Sequence, residues 1–375
     1  MRNRGMDQHF SAGFYRFSFA TEFLKPRLWM QTQCLPMDFL SNLLSAETIL
    51  RRPSRMEFYM SISETIEAAE RRIRPYARET LLEPSPVFSS RVGQEVLLKL
   101  ENLQHTGSFK LRGALNKILA MGSEATKTKV VTASSGNHGA AVAYALRVIG
   151  GKGLVFVPEG ASPSKVANIR NLGAEVEFFG DDSIDTEIHA RAYAAEHGCL
   201  YVPPYNDYEV MRGQGTIGVE LMRQSQPIDN LFISVGGGGL IGGIAAYIKA
   251  VSPNTRIIGC SPAASCVMAR SVEAGSVLDL PSDDTLSDGT AGGLESDTIT
   301  FPFCRDLVDH WIDVSEEEIA EAMRTFIDGH HMLLEGAAGV ALAGLCKAGA
   351  EWTRGRSVAV ICGANISRDV LRSVI

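Results

Sequence analysis

The chain has 375 residues, 45% of them hydrophobic and 21% charged, with a formal net charge of −7. That is enough apolar sequence for two cores, and it offers no basic block for nucleic acid or an anionic membrane surface. The seven cysteines include no C-x-x-C pair, the eight histidines no H-E-x-x-H, and no apolar run reaches the length of a membrane span, so a disulfide framework, a zinc site and a transmembrane helix are not predicted. His330 and His331 are adjacent and would face different sides of a helix. The default expectation is a cytoplasmic, soluble enzyme.

In chain order, residues 1–59 are rich in Phe, Met and Arg, carry Pro26, Pro36 and Pro53, and show no clear period. We expect an extension outside the fold. It reads either as a basic targeting segment without a secretory core or as residues upstream of a biological start at Met56 or Met60. From Ser61 the pattern tightens: Ser63, Ile66, Ala69 and Ile73 form one stripe of a helix that Pro75 ends. Residues 78–84 are predicted extended and 96–100 a short apolar strand. Then comes Glu101-Asn-Leu-Gln-His-Thr-Gly-Ser-Phe-Lys110-Leu-Arg-Gly-Ala114, with a helix predicted from about Ser108, a residue type suited to the N-cap.

Taken alone, a lysine in a helix is a solvated surface residue. Lys110, however, sits at a helix start beside Phe109 and the small Gly113 and Ala114. An electropositive helix end and apolar cover both weaken its preference for the ammonium form, and a neutral lysine is a nucleophile suited to a Schiff base.

Beyond it the chain alternates. Strands are predicted at 130–133, 153–157, 175–179, 200–202, 231–235, 257–259 and 357–361, with helical segments between them and a turn at Pro203-Pro204 as the best internal boundary. No repeat or low-complexity tract interrupts this. The pattern predicts an α/β fold with mostly parallel sheet wound on both faces, in two lobes.

Two strand–loop–helix junctions stand out. Gly236-Gly237-Gly238-Gly239 follows a strand and opens a helix, a place where amides and the helix dipole can cradle a phosphate. It fits the dinucleotide fingerprint poorly because a ribose-binding acid is missing. A glycine run also makes plain tight turns. Ser134-Ser135-Gly136-Asn137-His138-Gly139 puts hydroxyls, an amide and N–H groups at another helix start. The functional reading is anion binding, for instance of a carboxylate, and the plainer one is a serine N-cap. A nucleophilic lysine, a phosphate cradle and a polar helix-start loop together suggest pyridoxal 5′-phosphate.

In order and spacing, Ser108-Phe-Lys-Leu-Arg-Gly-Ala114, the Ser134–Gly139 loop, Gly236–Gly239 and Cys362-Gly-Ala-Asn-Ile366 resemble the threonine dehydratase and serine racemase family of fold-type II pyridoxal-phosphate enzymes. The resemblance runs from about Met60 to Ile375. It implies two doubly wound open-sheet lobes with the cofactor between them: a large domain from 60–128 and 206–375, and a small mobile one from 129–205. It also implies that Lys110 carries the cofactor and then acts as base at Cα, that Phe109 lies beside the ring, and that Asn137 faces the 3′-oxygen. Gly236, Gly237, Gly238 and Gly239 would hold the phosphate and Cys362 would meet the pyridine nitrogen. Ser134, Ser135, Gly136, Asn137 and His138 would bind the substrate carboxylate, with Ser135 on the face opposite the lysine. A dimeric or tetrameric homo-oligomer follows from the same resemblance.

The activity so implied is α,β-elimination on L-threonine- or L-serine-like hydroxyamino acids, giving a 2-oxo acid and ammonia. A thiol at the ring nitrogen does not favour a full pyridinium, which suits elimination over transamination. The sequence departs from its relatives in one stretch. Cys260-Ser-Pro-Ala-Ala-Ser-Cys266 offers no carboxylate to a hard cation, so no metal site is expected beyond a carbonyl-built monovalent one. The chain ends soon after Asn365, so a C-terminal regulatory domain and isoleucine feedback are not expected. Residues 285–293 and 330–339 resemble dehydratases of hydroxyectoine breakdown, which makes a hydroxyectoine-derived substrate one alternative. Others are a racemase using Lys110 and Ser135, a non-catalytic binding protein and a nicotinamide-dependent dehydrogenase.

Overall fold

The computed structural model describes residues 55–181 and 183–375; the expected extension lies outside the described residues up to residue 54. The first helix, Arg55–Ile73, starts before Met60 and buries Ile66, Ala69 and Ile73 completely, as the stripe predicts.

Among the described residues ten strands follow: β1 (Leu82–Pro84), β2 (Val96–Lys99), β3 (Val130–Ala133), β4 (Gly153–Val157), β5 (Glu175–Phe178), β6 (Leu200–Tyr201), β7 (Asn230–Ser234), β8 (Arg256–Pro262), β9 (His310–Val314) and β10 (Ser357–Val360). They form two sheets. One has six strands in the order β1-β2-β10-β7-β8-β9, the other four in the order β5-β4-β3-β6. All pairings are parallel except β1 with β2.

Parallel strands need helical crossovers that cover both faces, and β2, β7 and β10 are accordingly buried at every residue. Leu97, Leu98, Leu231, Phe232, Ile233, Val358 and Val360 fill the centre of the larger core, each contributing roughly 1.5–3 kcal/mol by burial. In the smaller sheet Val130, Val131, Leu154, Val155 and Val157 do the same, while the edge strand β5 is mostly exposed. No described helix is long and apolar enough to cross a membrane.

Three local features differ from the sequence reading. Ser108 is not the cap of the next helix: Lys110–Ala120 starts one residue after Phe109, with no side-chain cap. Ser108 instead pairs through its backbone with Gly363, because that segment is drawn against the end of β10. β9 is absent from the predicted strands; its His310, Trp311 and Asp313 are half-buried at the sheet edge and break the apolar pattern. His330 ends the helix Glu316–His330, and His331 lies beyond it in a left-handed conformation with φ 56°.

The carboxyl ends of β3, β7 and β10 feed the three loops that begin at Ser134, Val235 and Ile361. These loops meet at one cleft, where ligands of open α/β folds gather.

Candidate active site

A cavity of about 660 Å³ is lined by Phe109, Lys110, Ser134 to His138, Gly236 to Gly239 and Cys362. All the residues the sequence singled out therefore share one cleft. Lys110 is the first residue of its helix. Its Nζ donates to the carbonyl of Pro204 at 2.9 Å and lies 5.5 Å from the centre of the Phe109 ring. Burial lowers the amine to about 8, against the pull of Glu187, Cys362 and Glu335 in the other direction. Phe109 is itself fixed by its N–H, which donates to the Cys362 carbonyl at 3.0 Å.

The glycine loop is shaped for a ligand. Gly238 takes φ +79°, open to glycine, and caps the helix Gly239–Val251. A Cβ on Gly237 would stand 2.5 Å from Cγ of Tyr205 and 2.6 and 2.7 Å from its two Cδ atoms, so the ring packs closely on this backbone. The Thr300 hydroxyl donates to the Gly237 carbonyl at 2.7 Å. The first amides of the Gly239 helix have no acceptor within the helix and suit an anion. With the lowered lysine in the same cleft, these residues fit pyridoxal phosphate.

The second loop caps the helix Asn137–Ile149 through Gly136, with no side-chain bond; the Ser134 hydroxyl instead accepts the N–H of Gly136 at 3.2 Å. Asn137 is held on both sides. Its Nδ2 donates to the two oxygens of Glu335 at 2.8 and 3.0 Å, and its Oδ1 accepts from Nδ2 of Asn365.

The side chain of His138 is already engaged. Its Nε2 donates to the carbonyl of Val202 at 3.0 Å, Nδ1 has no hydrogen-bond partner, and burial, reinforced by Lys110, lowers the ring to about 3. A neutral ring whose only N–H is committed elsewhere cannot grip a carboxylate. Only its backbone amide is available for that role.

Cys362 is 1% exposed at the end of β10, accepts the Ser234 hydroxyl at 3.5 Å, and has its thiol raised by burial. Several residues of the cleft escaped the sequence reading. Arg191 donates to Glu187 and Glu295, both at 2.8 Å, and bridges the helix Ser183–Glu196 to the loop before Thr300. The hydroxyl of Tyr205 accepts the N–H of Glu295 at 3.0 Å, and burial pushes its phenol up to about 12. Glu335 is 3% exposed and raised to about 7, chiefly by burial. It carried one legible sign, a lone acid within a run of Leu, Gly and Ala. Among the described residues no group of three or more His, Cys, Asp or Glu side chains is placed to hold a metal.

The chain matches the family described as pyridoxal-phosphate dependent enzyme over residues 73–363, and it belongs to that family. It is 39% identical over 310 residues to an L-threonine ammonia-lyase of Geobacter sulfurreducens, covering 83% of this chain and 77% of that one. Among solved structures, the processed form of threonine deaminase isoform 2 from Solanum lycopersicum superposes with a TM-score of 0.80 at 33% identity, covering 86% of this chain and 88% of that one. Maize serine racemase gives 0.78 at 33% identity, with 83% and 95% covered. Pyridoxal phosphate is the cofactor of the family, and the residues of the cleft suit it.

Proposed function

We propose that this chain is an ammonia-lyase that removes water and then ammonia from small β-hydroxy-α-amino acids of the L-threonine and L-serine type. The observation that carries the reading is Lys110: a lysine at a helix start, lowered to about 8, across one cleft from four consecutive glycines. When bound, pyridoxal phosphate supplies an electron sink that makes the Cα proton of an attached amino acid removable.

The chain's own residues do the rest. Gly236 to Gly239 would hold the phosphate through backbone amides, and Tyr205, packed against Gly237, would shield that contact from water. Ser134 to His138 meet the substrate carboxylate at the start of the Asn137 helix, with His138 contributing its amide. With the cofactor bound, Asn137 would meet its 3′-oxygen, Phe109 would flank its ring and Cys362 would be the partner of its nitrogen. Lys110 would hold the cofactor and, with substrate in the cleft, would be the group that accepts the Cα proton on Nζ. The β-hydroxyl leaves with a proton as water, and the released enamine hydrolyses to a 2-oxo acid and ammonia. The four-stranded lobe, about residues 129–205, closes over the substrate. The six cysteines among the described residues are all free thiols, which supports a reducing, cytoplasmic setting; we expect a homo-oligomer there.

Racemisation is the second reading, favoured by the hydroxyl of Ser135 in the same cleft. Screening the cofactor-loaded enzyme against hydroxyamino acids, with 2-oxo acid release and the chirality of recovered substrate both followed, tests the two together. Release of 2-oxobutanoate from L-threonine is expected. Inversion without keto-acid release would overturn the lyase reading.

A further inference from the structure

Glu335 is a buried acid in the cleft that the chemistry above does not use. Its backbone N–H donates to the Gly363 carbonyl at 3.0 Å, and a Cβ on Gly363 would come within 2.5 Å of its Oε1, so the chain itself fixes the carboxyl. Around it runs a closed circuit of hydrogen bonds. Nδ2 of Asn137 donates to both carboxyl oxygens, the Asn365 N–H donates to Oε2 at 3.0 Å, and Asn365 Nδ2 donates to Oδ1 of Asn137 and, at 2.9 Å, to the Thr106 carbonyl. The acceptor side of Asn137 is thereby used, and its nitrogen is turned by the carboxylate.

We propose that Glu335 is a positioning residue: it orients the Asn137 carboxamide so that a hydrogen of Nδ2 is presented to the cofactor's 3′-oxygen, and through its own protonation it couples that contact to pH. The inference rests on the cofactor reading given above. All three contacts to Glu335 come from N–H donors, which the ionised carboxylate accepts and the protonated acid accepts less well. Loss of the charge therefore loosens the grip on Asn137.

Burial favours the neutral form, and Asp288 adds to that push. The Asn137 and Asn365 donors and Lys165 act against it. Across the cleft stand Lys110 and the thiol of Cys362. Glu335 also lines a second cavity, of about 500 Å³, with Asp284, Glu316 and Glu317 on its wall. That opening gives a buried carboxyl a path for exchanging its proton with solvent.

The test uses holoenzyme of the wild type, Glu335→Gln, Asn137→Ala and the double variant, with cofactor affinity by equilibrium dialysis and the visible absorbance band of bound pyridoxal phosphate titrated against pH. The wild type should show a spectral step with a midpoint of about 7. Glu335→Gln should lose that step and bind the cofactor on the order of tenfold more weakly. In the Asn137→Ala background the same change should add less than about twofold, because coupled residues are not additive. If the glutamine variant does not fold, Glu335→Asp should keep a pH step while losing affinity, since the charge remains and the reach does not. A wild type that binds cofactor and shares step and affinity with Glu335→Gln overturns the inference alone, and so do fully additive losses. A wild type that takes up no cofactor overturns the reading beneath it as well.

Discussion

Nζ of Lys110 and the carbonyl oxygen of Pro204 are 2.9 Å apart, a bond that ties the first turn of the Lys110–Ala120 helix to the segment leaving β6. The same segment carries the Val202 carbonyl that receives His138 Nε2 and the Tyr205 ring that covers Gly237. One short stretch therefore parks the amine, fixes the neighbouring imidazole and roofs the glycine loop.

The first consequence concerns pH. Only the neutral amine attacks an aldehyde, and burial puts the midpoint for Lys110 at about 8, below the 10.5 of an ordinary lysine. The rate at which apoenzyme takes up pyridoxal phosphate should therefore rise about tenfold per unit below that midpoint and level off above it. Stopped-flow absorbance measures this; a rise continuing to pH 10 would mean the lysine is not shielded. Lys110→Ala should lower elimination on the order of 10³-fold or more.

Gly237→Val tests the roof. Its side chain would collide with the Tyr205 ring, where even a Cβ stands 2.5 Å from Cγ. We expect weaker cofactor binding and a loss of roughly 1–3 kcal/mol in stability. Tyr205→Ala in the same chain should restore stability but not the shielding of the phosphate. Thermal melts with and without cofactor separate the two effects.

Much of this arrangement was legible in the sequence. The buried strands β2, β3, β4, β7 and β10 are short apolar runs, and the lysine and glycine motifs fall where those runs stop. Helix Glu316–His330 carries a plain signal too, since Ser315 and Glu318 form a capping box. What stayed hidden depends on contacts made far along the chain. Ser108 resembles an N-cap until Gly363 pairs with it. The bond from the His138 ring to the Val202 carbonyl, just past β6, has no local sign in the sequence. Glu335 has no motif of its own and gains meaning only when Asn137 and Asn365 fold onto it.

Ser135→Ala separates the two faces of Cα. With Lys110 as base on one face, L-threonine elimination should fall less than about tenfold, whereas racemisation or turnover of D-substrate should fall by the 10²-fold or more typical of a missing acid or base. Chiral chromatography beside a keto-acid assay gives both numbers. Equal losses would make the serine a carboxylate contact.

Below the site lies a buried ion network. Arg112 donates to Glu220 at 2.7 and 2.9 Å and to both oxygens of Glu101 at 2.8 Å; Lys99 joins Glu220, and all four side chains are fully buried. Burial alone would raise Glu220, yet Arg112 and Lys99 outweigh it and hold the carboxyl at about 2 instead of 4.5. Lys99 itself is pushed below its ordinary range by burial, so Arg112 is the firm partner. A depressed carboxyl stabilises the fold above its unfolded pKa. That contribution, on the order of 3 kcal/mol, is lost as pH falls from about 4.5 toward 2. Glu220→Gln leaves cations buried without their partner and should cost roughly 3–5 kcal/mol at neutral pH, lowering Tm on the order of 10 °C. It should also flatten the acid limb of the stability profile. Acid titration of both forms by circular dichroism checks the sign.

Cys362 gives the last test. It follows β10, between the ends of β2 and β7, and accepts the Ser234 hydroxyl at 3.5 Å. Most buried cysteines are small apolar fillers, and by burial alone this one qualifies. If its sulfur faces the pyridine nitrogen, Cys362→Ser should retain elimination within a few fold, because a hydroxyl makes the same contact. Cys362→Asp introduces a carboxyl next to Glu335, whose charge already acts on the thiol. Two acids in one dry pocket cannot both ionise cheaply, so the new one keeps its charge only by holding a proton on the ring nitrogen. That strengthens the electron sink and should bring long-wavelength absorbance during turnover, with side products rising at the expense of ammonia. Rapid-scan spectra and product ratios of the three forms decide it: an aspartate form indistinguishable from wild type in both would mean that Cys362 does not touch the ring.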